Sequence, residues 1–208
     1  MLRVYIIRHA QTSWNQDRRI QGGNSDTILN DEGARQCQCL AERLKEEKVT
    51  AVYSSPLSRA MSTARVIADC HGLPVTAEPD LREIDCGTME GVPITEIGKR
   101  LQQLVKMDKE GDFLFKACGG ESLDELQKRA WGAILRMAEK HKDEKDGNIV
   151  VVTHYFVISA IICAVLNLPA TQLGRFRIGE TSVNIISFDE RFGPFLSLFN
   201  DRCHLTAR

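Results

Sequence analysis

Two apolar runs, Val4–Ile7 and Ile149–Val152, constrain the fold more than any other feature of this chain. Each runs four residues without a polar interruption and is dominated by β-branched side chains. A strand with one wet face alternates apolar and polar residues, so a continuous run reads as a strand covered on both faces. Such strands need helices above and below, and the chain supplies them. Ala34, Cys37, Ala41 and Leu44 recur at helical spacing. Asn30 reads as their N-cap, with Asp31 and Glu32 in the first turn, which predicts a helix reaching about Glu47. Ala51–Tyr53 predicts a second buried strand, and Ser58 reads as the cap of a helix with Met61, Ala64, Ile67 and Ala68 on one face. Val75–Ala77 predicts a third strand. Ser122 opens a long helix with Leu123, Leu126, Ala130, Ile134 and Met137 on its buried stripe. Val157–Leu168 reads as a buried helix, and Val183–Phe188 and Phe195–Phe199 as two closing strands.

Strands joined by crossover helices imply an α/β fold: a three-layer sandwich with a mainly parallel sheet and helices on both faces. No linker, repeat or low-complexity segment divides the chain, so a single domain over residues 1–208 is expected. Residues 93–115 read as a helix plus an irregular connection. They belong to a short cap insertion, at about 88–121, over the strand ends.

Composition narrows the function classes. With 27 basic and 28 acidic residues the net charge is -1, so no global field draws nucleic acid or an anionic membrane. Any affinity for anions must come from a local cluster. The seven cysteines are odd in number and form no CxxC pair, which argues against a disulfide framework and a zinc site. Free thiols in a reducing cytoplasm are the simplest reading. No secretory leader is expected, because Arg3 interrupts the start, and the Val157–Leu168 stretch is too short to span a bilayer.

The chemistry lies in the residues just beyond each strand. Arg8-His9-Ala10-Gln11-Thr12 comes after the first, Ser54-Ser55-Pro56-Leu57-Ser58-Arg59 after the second, Leu81-Arg82-Glu83-Ile84-Asp85 after the third, and Thr153-His154 after the run at 149–152. Ligands of open α/β sheets bind at the carboxyl ends of the strands. Singly, each residue has an ordinary explanation: a loop Arg-His pair, a hydrogen-bonded core histidine, a helix-face arginine, a solvated glutamate. Together, at one end of one sheet, they form a cationic crevice in a near-neutral protein, and such a crevice needs an anion. Arginine forks match the tetrahedral oxygens of phosphate. The same arginines lower the pKa of His9 and keep it neutral, as a nucleophile must be. Trp131 reads as packing, Lys140–Lys145 as a solvated charge run, His71 and His141 as helix-end residues, and Cys86 as a thiol without a base.

In these blocks the chain resembles the histidine phosphatase superfamily, also called the phosphoglycerate mutase-like family. Arg8-His9-Ala10-Gln11-Thr12, with Trp14-Asn15 and Ile20-Gln21-Gly22, resembles its first motif. Ser54–Ala60 with Thr63-Ala64 resembles the second, and Leu81–Asp85 with Gly87 and Glu90-Gly91 the third. Gly119-Gly120-Glu121-Ser122 is similar to its fourth block, Val151–His154 to its last catalytic motif, and Asn200-Asp201 with Cys203-His204-Leu205 to its closing segment.

The resemblance implies that His9 attacks phosphorus and becomes phosphohistidine. Arg8, Arg59 and His154 would hold the phosphoryl oxygens, and Asn15 would add a hydrogen bond. Glu83, flanked by apolar Leu81 and Ile84, would protonate the leaving oxygen and then activate water. Gln21 and Gly22 would line the entrance, and His204 would contact substrate. Two positions depart from the family pattern. Ala10 stands where the family has Gly, and Tyr155-Phe156 where it has a small residue, so the rings of Tyr155 and Phe156 either narrow the pocket or turn into the core.

The expected activity is a metal-independent phosphomonoesterase of the histidine acid phosphatase type, with no cofactor, acting on a small phosphorylated metabolite. α-Ribazole-5′-phosphate phosphatases and phosphoserine phosphatases share its short form. The alternatives are a cofactor-dependent phosphoglycerate mutase and a non-catalytic phosphate-binding module. The resemblance also allows a homodimer.

Overall fold

The computed structural model describes residues 1–96, 116–144 and 147–206. Six strands form one sheet: β1 (Leu2–Arg8), β2 (Val49–Ser54), β3 (Val75–Ala77), β4 (Asn148–Thr153), β5 (Val183–Asp189) and β6 (Gly193–Asp201). Their order is β3-β2-β4-β1-β5-β6. β1, β2, β3 and β4 pair in parallel, whereas β5 and β6 are added antiparallel at one side. The sheet is therefore mixed, with the expected parallel core.

The two apolar runs are buried on both faces, as their lack of alternation requires. Val4 and Ile6 of β1, with Ile149 and Val151 of β4, join one core cluster; Tyr5, Ile7, Val150 and Val152 join the other. The first cluster packs under α4 (Leu123–Lys140) and α5 (Tyr155–Val165), which contributes Ile158, Ile161 and Ile162. The second packs under α2 (Asp31–Leu44) and α3 (Ser58–His71), through Leu40, Leu44, Ala64 and Ile67. A one-turn helix, α1 (Ser13–Gln16), lies in the loop after β1. The result is a three-layer sandwich. Each fully buried leucine or isoleucine contributes about 1.5–3 kcal/mol, so both faces are strongly held.

The helix starts follow from local chemistry. Asn30 caps α2 by accepting from the Gly33 amide at 2.8 Å. Ser122 and Glu125 form a reciprocal capping box at the start of α4. Two expectations are corrected. Ser58 is not the N-cap of α3; its amide and hydroxyl instead donate to the remote carboxylate of Asp26, at 2.7 and 2.8 Å. The apolar helix begins at Tyr155 rather than Val157 and ends at Val165, because Asn167 turns into the left-handed region at φ 54°. Residues 94–96 are helical, which agrees with the start of the helix expected within 93–115; the rest of that helix, and most of the cap expected at 88–121, lie outside the described residues.

Candidate active site

The parallel register of β1 and β4 builds the centre of the site. Arg8 is the partner of Thr153, so the next residue on each strand, His9 and His154, emerges at the same edge. The His9 amide donates to the Thr153 carbonyl at 2.9 Å, and the two imidazoles lie 5.2 Å apart, tilted by 57°. His9 Nδ1 sits 2.8 Å from the Ala10 carbonyl. A carbonyl only accepts, so Nδ1 carries the proton and Nε2 keeps its lone pair. Burial pushes the His9 pKa well below its ordinary value, and the Arg59 and Arg8 charges push it further. His9 is therefore neutral at pH 7 with a defined tautomer. The arginine effect expected from the sequence is present, but burial is the larger cause. His154 is likewise held neutral, first by burial and then by Arg59, and the Ser55 hydroxyl lies 2.7 Å from its Nε2.

Two guanidinium groups stand behind the imidazoles. Arg8 donates to the Ile178 carbonyl at 2.7 Å, pairs with Glu180 at 3.2 Å and lies 5.4 Å over the Tyr155 ring. Arg59, in the first turn of α3, is fully buried and donates to the Ser25 and Gly22 carbonyls at 2.7 and 3.1 Å. Burial lowers its pKa to about 10, which still leaves it charged at pH 7. Among the described residues, the buried atoms without a hydrogen-bond partner include the donors Arg8 Nε and Arg59 Nε, and His154 Nδ1. A buried donor left unpaired costs about 1–3 kcal/mol, so two unpaired guanidinium donors suit an anion with several acceptor oxygens.

Glu83 completes the group. Its carboxyl accepts from the Ile84 amide at 2.9 Å and from the Phe156 amide, in the first turn of α5, at 3.2 Å. Burial raises its pKa; those two amides, Arg59 and Arg8 oppose the rise without cancelling it. A neutral imidazole and a carboxyl group whose pKa is raised thus share one field, and pairs tuned apart in this way suit a division between attack and proton donation.

Arg8, His9 and Glu83 open onto a cavity of about 800 Å³, and Arg59 and His154 lie outside its lining. Arg8, His9, Asn15, Gln21, Glu83, Tyr155 and Phe156 line it. Asn15 Oδ1 accepts from the Thr12 amide and hydroxyl, both at 3.0 Å, which turns its amine away from Thr12. Gln21 Oε1 accepts from the Thr27 hydroxyl at 2.6 Å and lies 2.9 Å from the Thr12 hydroxyl, whose single proton it competes for with Asn15 Oδ1. Gly22 does not line the cavity but holds Arg59 through its carbonyl, and a Cβ there would lie 2.2 Å from Glu90. Tyr155 and Phe156 do both things the sequence left open: they line the cavity and pack against the core. The Tyr155 hydroxyl donates to the Phe176 carbonyl at 2.8 Å. His204 is placed elsewhere. It does not line the cavity, and its ring nitrogens meet Arg43 and Thr181 at 3.2 and 3.1 Å.

The chain matches one family model, the histidine phosphatase superfamily (branch 1), over residues 4–202. The chain belongs to the histidine phosphatase superfamily. It is 34% identical over 197 residues to a protein of Yersinia pestis named probable phosphoglycerate mutase GpmB, covering 95% of this chain and 89% of that one. Among solved structures it resembles the phosphoserine phosphatase of Entamoeba histolytica in complex with 3-phosphoglyceric acid. That match has 29% identity and a TM-score of 0.86, over 99% of this chain and all of the other. It also resembles a mycobacterial glucosyl-3-phosphoglycerate phosphatase bound to VO3, at 27% identity and TM-score 0.83, over 96% and 99% of the two chains.

Within this member of the histidine phosphatase superfamily, several cavity residues have no signature in the sequence. Glu180 partners Arg8 and precedes an antiparallel strand, so its segment reaches the site from the strand's beginning rather than its end. Ile20, Met89, Ile94, Leu123 and Leu173 form apolar wall, and Arg18, Arg19 and Arg177 add charge. Apart from Ile20, which lies in the first motif, and Leu123, on the helix stripe, none carries a recognisable spacing.

Proposed function

We propose that this member of the superfamily is a phosphomonoesterase that hydrolyses small phosphorylated metabolites through phosphohistidine at His9. The observation that carries the reading is the pairing of a neutral His9, its Nδ1 proton tied to Ala10, with a buried Glu83 whose pKa is raised. In the first step Nε2 of His9 attacks phosphorus and the ester P–O bond breaks. The Glu83 proton passes to the departing oxygen, which would otherwise leave as an alkoxide. The charge on the equatorial oxygens meets Arg8, Arg59 and His154, with Asn15 as a further donor. In the second step the Glu83 carboxylate takes a proton from water, the water oxygen attacks phosphorus, the P–N bond breaks and inorganic phosphate leaves.

Neutralisation of the phosphoryl group is thus assigned to guanidinium groups rather than to a divalent cation. Among the described residues no cluster of His, Cys, Asp or Glu suits a metal ion. Turnover is expected to be unchanged by EDTA and blocked by vanadate, which adopts the pentacoordinate geometry of the transferring phosphorus. Loss of activity with EDTA and its return with magnesium would contradict the mechanism.

The mutase reading is favoured by the name of the Yersinia relative. A mutase must keep its intermediate, exclude water and let the substrate reorient, which calls for a substantial lid. The segment between Gly91 and Gly119 is short for that task. The purified protein, given 3-phosphoglycerate or 2-phosphoglycerate with 2,3-bisphosphoglycerate, is expected to release inorganic phosphate with little isomer exchange. Exchange faster than phosphate release would replace the phosphatase with a mutase. The phosphoserine, glucosyl-3-phosphoglycerate and α-ribazole phosphatases among its structural relatives support hydrolysis without choosing a substrate.

A further inference from the structure

The mechanism leaves one strongly built feature unused, on the far side of the Glu83 loop. Arg129 of α4 grips Glu121 through both carboxylate oxygens, at 2.6 and 2.7 Å. Its side chain is 21% exposed and that of Glu121 17%. The remaining donors do not go to solvent. Nη1 donates to the Asp80 and Arg82 carbonyls, both at 2.7 Å, and Nη2 reaches the Glu83 carbonyl at 3.3 Å. The amide of Glu121 donates to the Asp85 carbonyl at 2.9 Å. One ion pair therefore fixes backbone on both sides of Glu83.

The glycines beside it show how closely the segments approach. A Cβ on Gly120 would fall 2.1 Å from the Asp85 carbonyl oxygen, and one on Gly87 2.0 Å from that of Cys118. The opposite side of the loop is also tied: the Gly23 amide donates to the Ile84 carbonyl at 2.8 Å, and the Thr153 hydroxyl to the Leu81 carbonyl at 2.7 Å. The Ile84 amide, one of the two donors to the Glu83 carboxyl, belongs to the loop that is held. A partly buried ion pair is weak evidence for stability, because desolvation offsets its attraction. An arginine whose other donors are all aimed at loop carbonyls, those of Asp80, Arg82 and Glu83, has a positional use instead.

We propose that Arg129, oriented by Glu121, is a positioning residue that sets the Glu83 carboxyl against the leaving oxygen, and that the Gly119–Ser122 segment serves to deliver this clamp. The proposal rests on the reading of Glu83 as the proton donor, and the test separates the two. Wild type, Glu83→Gln, Arg129→Lys, Glu121→Gln and each double variant with Glu83→Gln are assayed on β-glycerophosphate and on p-nitrophenyl phosphate. The first needs a protonated leaving oxygen and the second hardly does. A misplaced acid is expected to cost Arg129→Lys and Glu121→Gln roughly 10- to 100-fold in kcat on β-glycerophosphate, and far less on p-nitrophenyl phosphate. Added to Glu83→Gln, neither change is expected to cost anything further on β-glycerophosphate, because residues that act as a unit are not additive. Equal losses on both esters, or losses that multiply with Glu83→Gln, overturn the positioning role while leaving Glu83 as the acid. If Glu83→Gln itself shows no preference between the esters, the acid reading falls and the clamp with it. Glu121→Gln keeps the volume and a neutral acceptor, so it carries the test if Arg129→Lys does not fold.

Discussion

Replacing His9 with alanine is expected to lower turnover by roughly 10⁴-fold or more, the scale on which removal of a covalent nucleophile acts. Binding of a phosphate ester should persist. Arg8, Arg59 and His154 keep their own supports, through Ile178 and Glu180, through Ser25 and Gly22, and through Ser55. The loss therefore falls in kcat and not in affinity, which phosphate release and calorimetric titration with an unreacted ester measure separately. The rival nucleophile is His154, 5.2 Å away and also neutral. It is disfavoured because its Nε2 already meets the Ser55 hydroxyl and it does not line the cavity, whereas His9 does. A His9→Ala variant within about tenfold of wild type would move the nucleophile elsewhere.

The second large effect belongs to Glu83. Glu83→Gln removes the transferable proton and is expected to slow alkyl phosphates by about 10²- to 10⁴-fold, the usual contribution of general acid catalysis. p-Nitrophenyl phosphate should lose far less in its first step. The pH profile adds an independent check. The first step needs the protonated carboxyl, so kcat/KM for an alkyl ester falls as pH rises through the Glu83 pKa. Burial raises that pKa, so the falling limb lies above the pH of an ordinary carboxyl group. In Glu83→Gln that limb should vanish. Equal losses on both ester types, with the limb retained, would assign the proton to another group.

Much of this arrangement was legible in the sequence for physical reasons. Residues just beyond buried parallel strands converge at one edge, so His9, Arg59, Glu83 and His154 could be gathered from their positions in the chain alone. The unbroken apolar runs fixed which strands lie in the middle, because only a doubly covered strand does without alternation. The parts that were not legible depend on contacts between distant segments. Glu180 enters from the start of an antiparallel strand, which a search of strand ends passes over. Asp26 caps α3 across a long loop, and Ser58, although it has the right side chain for a cap, donates to that carboxylate instead. Gly22 serves Arg59 with its carbonyl, a role any residue type offers and no motif reveals. His204 matched a closing segment, but in the fold both its ring nitrogens are turned to Arg43 and Thr181.

The central claim, covalent transfer to His9, is tested most directly by catching the intermediate. Enzyme in excess is mixed with a fast-reacting ester such as p-nitrophenyl phosphate, denatured within the first turnover at alkaline pH, where phosphohistidine survives, and digested for mass spectrometry. The account predicts one phosphoryl group on the peptide containing His9, lost on exposure to acid and absent from His9→Ala. Nitrophenol release equal to the enzyme present, with no phosphoryl group on His9 at any time in that turnover, would contradict it.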